Sequence, residues 1–516
     1  MKLREFLKSL VLLAILFNIS CKKDETINEE IAGKKITVIG ENFEADTKTT
    51  LSGLSSIWIA NDDKVGIYSP QARPTSGGAA GVTNAQFSAV TSTASSVFSG
   101  EMYWGTGTHS FYAYYPYAAG SAASSAVPVS LTPSQTQSSG GNSSHISSLD
   151  FMVATPVTGV TPGTAGESAG VSLFYNHLFT LIEFQIKRSS GSGDISELKF
   201  TARNKIAFSS GTINITQSKP AAGVAYSITT NDTKNEVVLT MTSAMTPTND
   251  YTTTPKMFLM INPKTETGYI TIAIKSGSTY KYVQKLAPTG GFERGKKYIV
   301  QIDAATATDY PGSTTALADM PTFGSVKWAP VNCGYDPSNV NGLVYQWHRK
   351  YGQLFVSTGA TAGTVSLATG NDPANIDAFY TNSASPYDWC SVQQSSWSSS
   401  AEYNPCPAGW RVPTIAELES LYSAGSTWVT SGPDSQAGRW VGGNHATDHV
   451  GSIFFPAPGG RSYSDGATQG AGSGRYWSST ASSSDASRMH FNSTLTPYTV
   501  SASSYRSYGF SVRCVQ

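Results

Sequence analysis

Apolar and polar positions alternate along several short stretches between residues 36 and 303. In residues 182–186 (IEFQI) every second side chain is apolar. A period of two is typical of a strand that buries one face. Residues 269–274 and 298–302 alternate as well, and apolar, β-branched or aromatic runs at 36–39, 57–68, 111–117 and 171–179 are further strand candidates, all separated by Gly, Pro, Asn and Ser. The pattern predicts a mainly β chain that begins with two β-sandwich domains in tandem, at 36–188 and 189–303.

Two further segments differ from this pattern. Residues 118–149 are rich in Ala, Ser, Gly and Gln, which predicts a mobile surface loop. Residues 304–325 read as a linker, because the composition changes beyond them: eight of the ten Trp and four of the five Cys lie past residue 325, but only two Lys. The change predicts a third domain at 326–516.

The third domain holds the one convincing helix of the chain. Thr414 can cap its N-terminus, and Glu417, three residues on, completes a capping box. Ile415, Leu418, Leu421 and Tyr422 supply an apolar face, and Gly425 ends the helix. We therefore expect an α+β architecture for this domain.

Composition and charge narrow the functional classes. The chain has 516 residues, with 35 Lys+Arg balanced by 35 Asp+Glu, and only 14% of its residues are charged. Usual charged content is about 25%. A neutral, weakly charged, Gly-rich chain argues against a nucleic-acid binder and favours an extracellular β protein.

The N-terminus predicts export. Lys2, Arg4 and Lys8 precede an apolar run at 10–17, which is too short to span a bilayer. The run ends at Asn18-Ile19-Ser20-Cys21, which resembles a bacterial lipobox, although Asn18 stands where Leu is usual. Cys21 would then be the lipidated N-terminus after removal of signal peptide 1–20, with 21–35 as a tether. An ordinary secretory signal is the alternative. Residues 22–25 (KKDE) resemble the export signal of surface lipoproteins in Bacteroidetes-type bacteria.

Four cysteines lie in the third domain: Cys333, Cys390, Cys406 and Cys514. An even number in an exported protein favours two disulfides, for which three connectivities are possible. We expect Cys333–Cys390 and Cys406–Cys514, which would join the end of the domain to its middle. A zinc site is the alternative, but the sequence has neither a C-x-x-C spacing nor a His at a ligand spacing from a Cys.

Five motifs stand in one order along the first 300 residues. They are TKTT (47–50) before IW (57–58), DDKVGIY (62–68), FYAYYPY (111–117), LFYNHL (173–178), and FLMINP (258–263) followed by GKKY (295–298). Together they resemble the fimbrillin proteins of the Mfa-like and type V pilin group. His177, within the fourth motif, reads better as a core residue than as a ligand.

The resemblance implies a surface lipoprotein that assembles by strand exchange. A protease removes the first strand of such subunits, usually after Arg, and a neighbour's C-terminal strand fills the groove. This chain has no Arg between Cys21 and Arg73. Either a protease accepts Lys34 or Lys35, or the subunit is not cut.

Three later motifs, CPAGWRVPT (406–414), YWSST (476–480) and GFSVRCV (509–515), also stand in order. They resemble the Fibrobacter major paralogous domain family, which is similar to C-type-lectin-like and sulfatase-modifying-factor folds. No catalytic triad, P-loop, paired-carboxylate or calcium-lectin motif stands out, so we expect no enzyme and no cofactor. Two polar loops are the candidate ligand sites, since Trp stacks on sugars and polar groups bind hydroxyls: Trp440, Asn444, His445, Asp448 and His449 in one, and Asp465 in the other. Ordinary solvated loops are the alternative.

Two hypotheses of function follow. The first is a fimbrial tip adhesin of the outer membrane surface, which accepts a strand from another fimbrial subunit and binds a glycan or a protein receptor. It rests on the third domain standing where a free donor strand is expected. The second is a surface lipoprotein, tethered at Cys21, that binds glycans or matrix without joining a fimbria.

Overall fold

The computed structural model describes residues 32–42, 57–162, 170–266, 268–372, 375–495 and 499–516. Strands hold 42% of the residues and helices 6%, so the prediction of a mainly β chain is confirmed. Signal peptide 1–20, Cys21 and most of the tether lie outside the described residues.

Nineteen described strands precede residue 304. They are β1 (Val38–Asn42), β2 (Lys64–Ser69), β3 (Val82–Ala89), β4 (Ser95–Ser99), β5 (His109–Tyr115), β6 (Val127–Leu131), β7 (Ser134–Gln137), β8 (Met152–Ala154), β9 (Val157–Val160), β10 (Val171–His177), β11 (Thr180–Lys187), β12 (Ile195–Thr201), β13 (Ala207–Ile213), β14 (Ile228–Lys234), β15 (Glu236–Met245), β16 (Lys256–Ile261), β17 (Tyr269–Ser276), β18 (Thr279–Leu286) and β19 (Lys297–Asp303).

The first sheet closes into a ring, which we call the N-terminal barrel. Its order is β2-β3-β4-β1-β10-β8-β5-β9, and β2 also pairs with β5. Seven strands thereby form a closed circuit, to which β9 is added. A closed sheet has no free edge. The core inside it includes Val38, Trp58, Phe98, Leu173 and Tyr175.

The next strands form a group that we call the middle sandwich. Sheets β16-β11-β19 and β18-β17-β12-β15-β7 enclose one aliphatic core, and β14-β13-β6 is a third, three-stranded sheet. Strand β11 lies before the expected boundary at residue 188 but pairs with β16 and β19. The alternation that predicted β11 is confirmed, since Ile182, Phe184 and Ile186 are all fully buried.

The segment 118–149 is not the predicted mobile loop. It contains β6, which pairs with β13, and β7, which pairs in parallel with β15. Val127, Leu131 and Gln137 are buried. The prediction was wrong because each of these short strands pairs with a strand 70 or more residues later in the sequence. Local composition therefore says little about whether they form.

The C-terminal region, residues 320–516, has shorter elements. They are β20 (Thr322–Phe323), β21 (Val326–Lys327), β22 (Val344–Tyr345), β23 (Ala360–Ala362), α1 (Leu367–Gly370), β24 (Phe379–Thr381), α2 (Ile415–Ser423), β25 (Ser426–Val429), β26 (Gly438–Val441), β27 (Ile453–Pro456), β28 (Gly460–Arg461), β29 (Thr468–Gln469), β30 (Gly474–Ser482), β31 (Asp485–Phe491), β32 (Thr499–Ser504) and β33 (Phe510–Ser511).

The predicted helix of this region is confirmed as α2. The Thr414 hydroxyl accepts from the Glu417 amide, and the Glu417 carboxylate accepts from the Thr414 amide at 2.8 Å. Arg411 adds an ion pair to Glu417 at 2.6 Å. Among the described residues, none of the helices is both long and apolar enough to cross a lipid bilayer.

The expected linker is folded against the C-terminal region. Tyr310 and Met320 are buried in its core, and the Tyr310 ring packs edge-on against Trp410, with ring centroids 5.0 Å apart. The middle sandwich also contacts this region, because the Tyr282 hydroxyl on β18 donates to the Ala408 carbonyl at 2.5 Å. Arg203 pairs with Asp377 at 3.1 Å.

Candidate functional site

Strand β1 occupies a slot in the wall of the N-terminal barrel. It runs parallel to β10 and antiparallel to β4, and it completes the ring between them. Val38 is fully buried, and the Trp58 indole N–H donates to the Gly40 carbonyl at 3.1 Å. A side chain at Gly40 would lie 2.3 Å from the Phe98 ring, so the backbone of β1 fits closely against β4.

Aromatic rings line the slot beneath β1. The Trp58 ring lies 5.0 Å from that of Phe98 and 5.1 Å from that of Tyr175, both edge-on. The Tyr175 hydroxyl is buried with no hydrogen-bond partner, and burial raises its pKa. Without β1, the slot would present an apolar floor between two unpaired strand edges, which is the kind of site that a strand from another chain can fill.

The position of β1 separates the candidate cleavage sites. Lys34 and Lys35 precede β1, so a cut after either would leave the strand in place. Lys35 is exposed and pairs with Glu101 at 2.7 Å. Lys48 follows β1 in the sequence but lies outside the described residues. Only a cut on the C-terminal side of β1 would release the strand and open the slot.

The last residues of the described chain are built into the C-terminal region. Ser511 and Phe510 of β33 pair with Val344 and Tyr345 of β22. The Val515 amide donates to the Arg411 carbonyl at 2.9 Å. Cys514 and Val515 are fully buried. This segment is therefore a paired and buried part of the C-terminal region and not an unpaired strand.

One of the two expected disulfides is present. Cys406 and Cys514 are bonded, which closes a span of 108 residues. The expectation of a Cys333–Cys390 bond is wrong, because both residues are buried free thiols. Cys390 instead packs against Tyr380 and Trp389.

Cys333 lies beside the disulfide. Its sulfur and those of Cys406 and Cys514 all lie within 4.8 Å of one another. Burial raises the pKa of Cys333 to about 12, and the Tyr345 hydroxyl donates to its sulfur at 3.2 Å. Since two of the three sulfurs are already bonded to each other, the cluster does not offer the thiolates that a zinc site needs.

His177 is held by a carboxylate. Its Nδ1 lies 2.8 Å from the Asp150 carboxylate, at the end of β10. His177 was predicted to be a core residue, but its side chain is only partly buried and pairs with Asp150 at the edge of the core.

The first predicted ligand loop is the connection between β26 and β27. Trp440 stacks face to face on His449, with ring centroids 4.2 Å apart. His445 Nδ1 lies 2.8 Å from the Thr427 hydroxyl. Asp448 accepts from the Val450 amide at 3.1 Å, which holds its pKa below the usual range, and Asn444 accepts from the Thr447 amide through its backbone. Trp440 lies on β26 and the other four residues follow it in the connection to β27, and one face of the Trp440 ring is covered by the His449 imidazole.

Asp465 lies apart from that loop, in the turn between β28 and β29. Its carboxylate accepts from the Ala467 amide at 3.1 Å, and hydrogen bonds from Ser462 and this amide lower its pKa. The neighbouring Tyr463 belongs to a group of half-exposed tyrosines that sequence reasoning missed. The signal available was the run of tyrosines at 505 and 508, which lie in a Ser-rich stretch before the last motif.

Comparison with known proteins gives a family for the larger part of the chain. The model of the family described as "Fimbrillin-like" (Mfa_like_1) matches residues 47–316. No curated protein matches the chain. The resemblance of the C-terminal region to the Fibrobacter family is not supported by a match.

Several solved structures are similar to parts of the chain. A putative cell adhesion protein from Bacteroides uniformis has 15% identity and a TM-score of 0.35, and the alignment covers 53% of this chain and 94% of that one. A fimbrial assembly protein from Parabacteroides distasonis has 10% identity and a TM-score of 0.27, over 53% and 92%. A fimbrial protein from Bacteroides ovatus has 14% identity and a TM-score of 0.22, over 93% and 98%.

Proposed function

We propose, from the premise that this chain belongs to the fimbrillin-like family, that it is an adhesin subunit at the tip of a surface fimbria. Its family implies a place at the cell surface and contacts with other fimbrial subunits. In this proposal the barrel accepts a strand from a neighbouring subunit in place of β1. The C-terminal region then binds a glycan or a protein receptor.

The state of residues 510–515 carries the proposal. A subunit within a shaft must give a strand to the next subunit as well as accept one. Residues 510–515 are paired with β22, buried, and linked through Cys514 to Cys406. Extracting them would open the C-terminal core and expose its apolar side chains. A subunit that accepts a strand without giving this one suits the end of a polymer.

Immunogold labelling of intact cells tests the position. Antibody to the C-terminal region should place gold at fimbrial tips. Gold spaced along the shafts, or an absence of gold from fimbriae, would contradict the proposal.

The second candidate is a surface lipoprotein tethered to the outer membrane through Cys21. It is favoured by the closed barrel, in which β1 already fills the slot, and by the absence of Arg between Cys21 and Arg73. Sequencing the mature N-terminus separates the two. A start at Cys21 keeps the anchor residue and β1 and favours the tether, whereas a start near residue 49 removes both and favours the fimbria. A start near residue 35 would remove the anchor but leave β1 in its slot, and would contradict both candidates.

A further inference from the structure

Four tyrosines form a half-exposed surface on the C-terminal region, which we call the tyrosine platform: Tyr387, Tyr463, Tyr505 and Tyr508. Tyr387 and Tyr505 stack with ring centroids 4.2 Å apart. Tyr463 packs edge-on against Tyr505 and Tyr508, at 4.9 Å from each. The platform joins residues from three separate parts of the chain, so it exists only in the folded region.

Three basic side chains adjoin the platform on one face of a sheet. Arg475 on β30 is paired with His490 on β31, and Trp477 is paired with Arg488. Since alternate residues share a face, Arg475, Arg488 and His490 lie on the same side. Both guanidinium carbons lie 5.6 Å from the Phe510 ring, which stacks on Tyr508 at 5.1 Å.

Other arginines of this region show what a structural guanidinium looks like here. Arg513 donates to the Asn332 side chain and to the Ala329 and Phe454 carbonyls. Arg349 and Arg461 likewise donate to backbone carbonyls, and all three are fully buried. In each case the loops of the fold satisfy the donors.

Arg475 and Arg488 differ in this respect. Arg475 Nε, Arg488 Nη1 and His490 Nε2 are buried atoms with no hydrogen-bond partner. Arg488 has one partner, the Ser504 hydroxyl, which its Nε reaches at 2.5 Å. Within the described part of the chain, neither arginine forms an ion pair with a carboxylate. The three buried atoms are shielded from solvent, so an external group would be held by the other guanidinium nitrogens, Arg475 Nη1 and Nη2 and Arg488 Nη2. None of the residues that the structure describes is a hydrogen-bond partner of these nitrogens, which leaves them available to an oxyanion.

Arg475, Arg488 and His490 are all basic, whereas the platform has a carboxylate neighbour, because burial and the Asp485 carboxylate both raise the pKa of Tyr505. Burial lowers the pKa of Arg488 to about 10 and also lowers that of Arg475, yet both stay cationic at pH 7. Burial and the two arginines lower the pKa of His490 to about 4, so its imidazole is neutral at pH 7. Two like charges on neighbouring strands repel each other, and an anion between them would remove that cost.

We propose that Arg475, Arg488 and His490, with the tyrosine platform, bind an acidic saccharide. The guanidinium groups hold the carboxylate or sulfate of the sugar, because their planar forks suit oxyanions. The tyrosine rings pack on the C–H face of the sugar while their hydroxyls remain available for hydrogen bonds. This inference rests on the proposed function in one respect, that the C-terminal region is the binding part, and it names the ligand class. It does not depend on where in a fimbria the subunit sits.

Titration calorimetry on the full mature chain tests the site with three saccharides. They are 3′-sialyllactose, which carries a carboxylate, a heparin-derived hexasaccharide, which carries sulfates as well, and neutral lactose. We expect at least one acidic saccharide to bind and lactose not to bind. The double variant R475Q/R488Q should weaken binding about tenfold or more, as expected for lost hydrogen bonds between charged groups. The affinity of the variant R488K should lie between that of the wild type and that of R475Q/R488Q.

Matched controls keep the result interpretable. Lys285→Gln removes one exposed positive charge from β18 of the middle sandwich and should leave binding unchanged. Trp440→Ala tests the other candidate loop, and binding that falls in this variant but not in R475Q/R488Q would assign the ligand to that loop and overturn the proposal. Each variant is checked for an unaltered thermal midpoint, and Tyr508→Ala provides a second test of the platform should the double variant unfold.

The site is excluded if no acidic saccharide binds, if R475Q/R488Q and Tyr508→Ala both bind as the wild type does, or if hexaglutamate peptide binds where the saccharides do not. Binding that depends on the arginines, together with gold along fimbrial shafts, would keep this site and overturn the tip position. Gold at tips without any saccharide binding would keep the tip position and exclude this site.

Discussion

The middle sandwich and the C-terminal region build their cores, and satisfy their buried backbone groups, with different side chains. The sandwich has strands of mostly six to ten residues around a core of Ile, Leu, Val, Met and Phe. In the C-terminal region most strands have four residues or fewer, and the core contains Trp347, Trp397, Trp410 and Trp477. The backbone N–H and C=O groups of long strands pair with neighbouring strands. The backbone groups of irregular loops need hydrogen bonds from side chains instead.

Buried arginines fill that need in the C-terminal region. Arg349, Arg439, Arg461, Arg506 and Arg513 are each nearly or completely buried and donate to backbone carbonyls of loops. These five arginines therefore have a structural role, because the loops satisfy their donors. Arg475 and Arg488, which have buried nitrogens without a hydrogen-bond partner, are the exception.

The largest expected effect comes from removing the disulfide. In the variant C406A/C514A, the C-terminal region should lose about 4 kcal/mol of unfolding free energy, because the bond closes a long span. Both cysteines are replaced so that Cys333 has no partner for a new bond. Urea unfolding followed by Trp fluorescence measures the loss, since most Trp residues lie in this region.

Cys390→Ala serves as the control for that variant. Cys390 is a buried free thiol, so its replacement should cost only about 1 kcal/mol through lost packing. Equal losses in the two variants would show that the disulfide contributes no more than packing does.

Arg513→Gln tests the role of a buried guanidinium. It leaves acceptors at Ala329 and Phe454 without their donors, and we expect a loss of about 3 kcal/mol from the same Trp transition. A loss below about 1 kcal/mol would contradict the idea that arginines hold these loops together.

Ile272→Val gives the corresponding change in the middle sandwich. Ile272 is fully buried on β17, and removing one methylene should cost about 1 kcal/mol. Calorimetry of the whole chain measures it. We expect the loss to appear in a transition that the Arg513→Gln change leaves in place, and a shared shift of all transitions would argue that the two regions unfold as one.

A pH dependence of stability is expected at His348. This side chain is buried beside Tyr403, and burial lowers its pKa to about 4. The unfolded chain takes up the proton near pH 6.5, so the stability present above that pH is lost as the pH falls toward 4. His348→Asn, which suits the positive φ of 67°, should flatten the fall in urea midpoint between pH 7 and pH 5. Identical falls in both proteins would count against this assignment.

The sequence was a good guide where the evidence is local. The alternation of residues 182–186 predicted β11, and Thr414 with Glu417 predicted the capped start of α2, because both patterns depend on near neighbours. It was a poor guide where distant partners decide. Strands β6 and β7 exist because β13 and β15 offer them edges, and the choice of sulfur partner for Cys406 depends on the whole C-terminal fold.

The same reasoning explains what was missed at the candidate site. Tyr387 and Tyr505 are 118 positions apart yet stack in the fold, and nothing in the spacing of tyrosines predicts that contact. Trp440 was chosen because Trp stacks on sugars, but its neighbour His449 already covers one of its faces. The presence of a Trp in a polar loop does not show whether its ring is open to a sugar or covered by a neighbouring side chain.

Hydrogen exchange of the amides at 510–516 tests whether this segment is held in the C-terminal region or is free to be donated. The Val515 amide donates to the Arg411 carbonyl and the Gln516 amide to the Lys327 carbonyl, so both should exchange only when the C-terminal region unfolds. Measured by mass spectrometry on the isolated native protein, the C-terminal peptide should be as protected as peptides from the core strand β30, and C406A/C514A should raise its exchange rate. Rapid exchange of this peptide in the wild-type protein, with β30 still protected, would show a segment loose enough to be donated and would contradict the proposed position at a fimbrial tip.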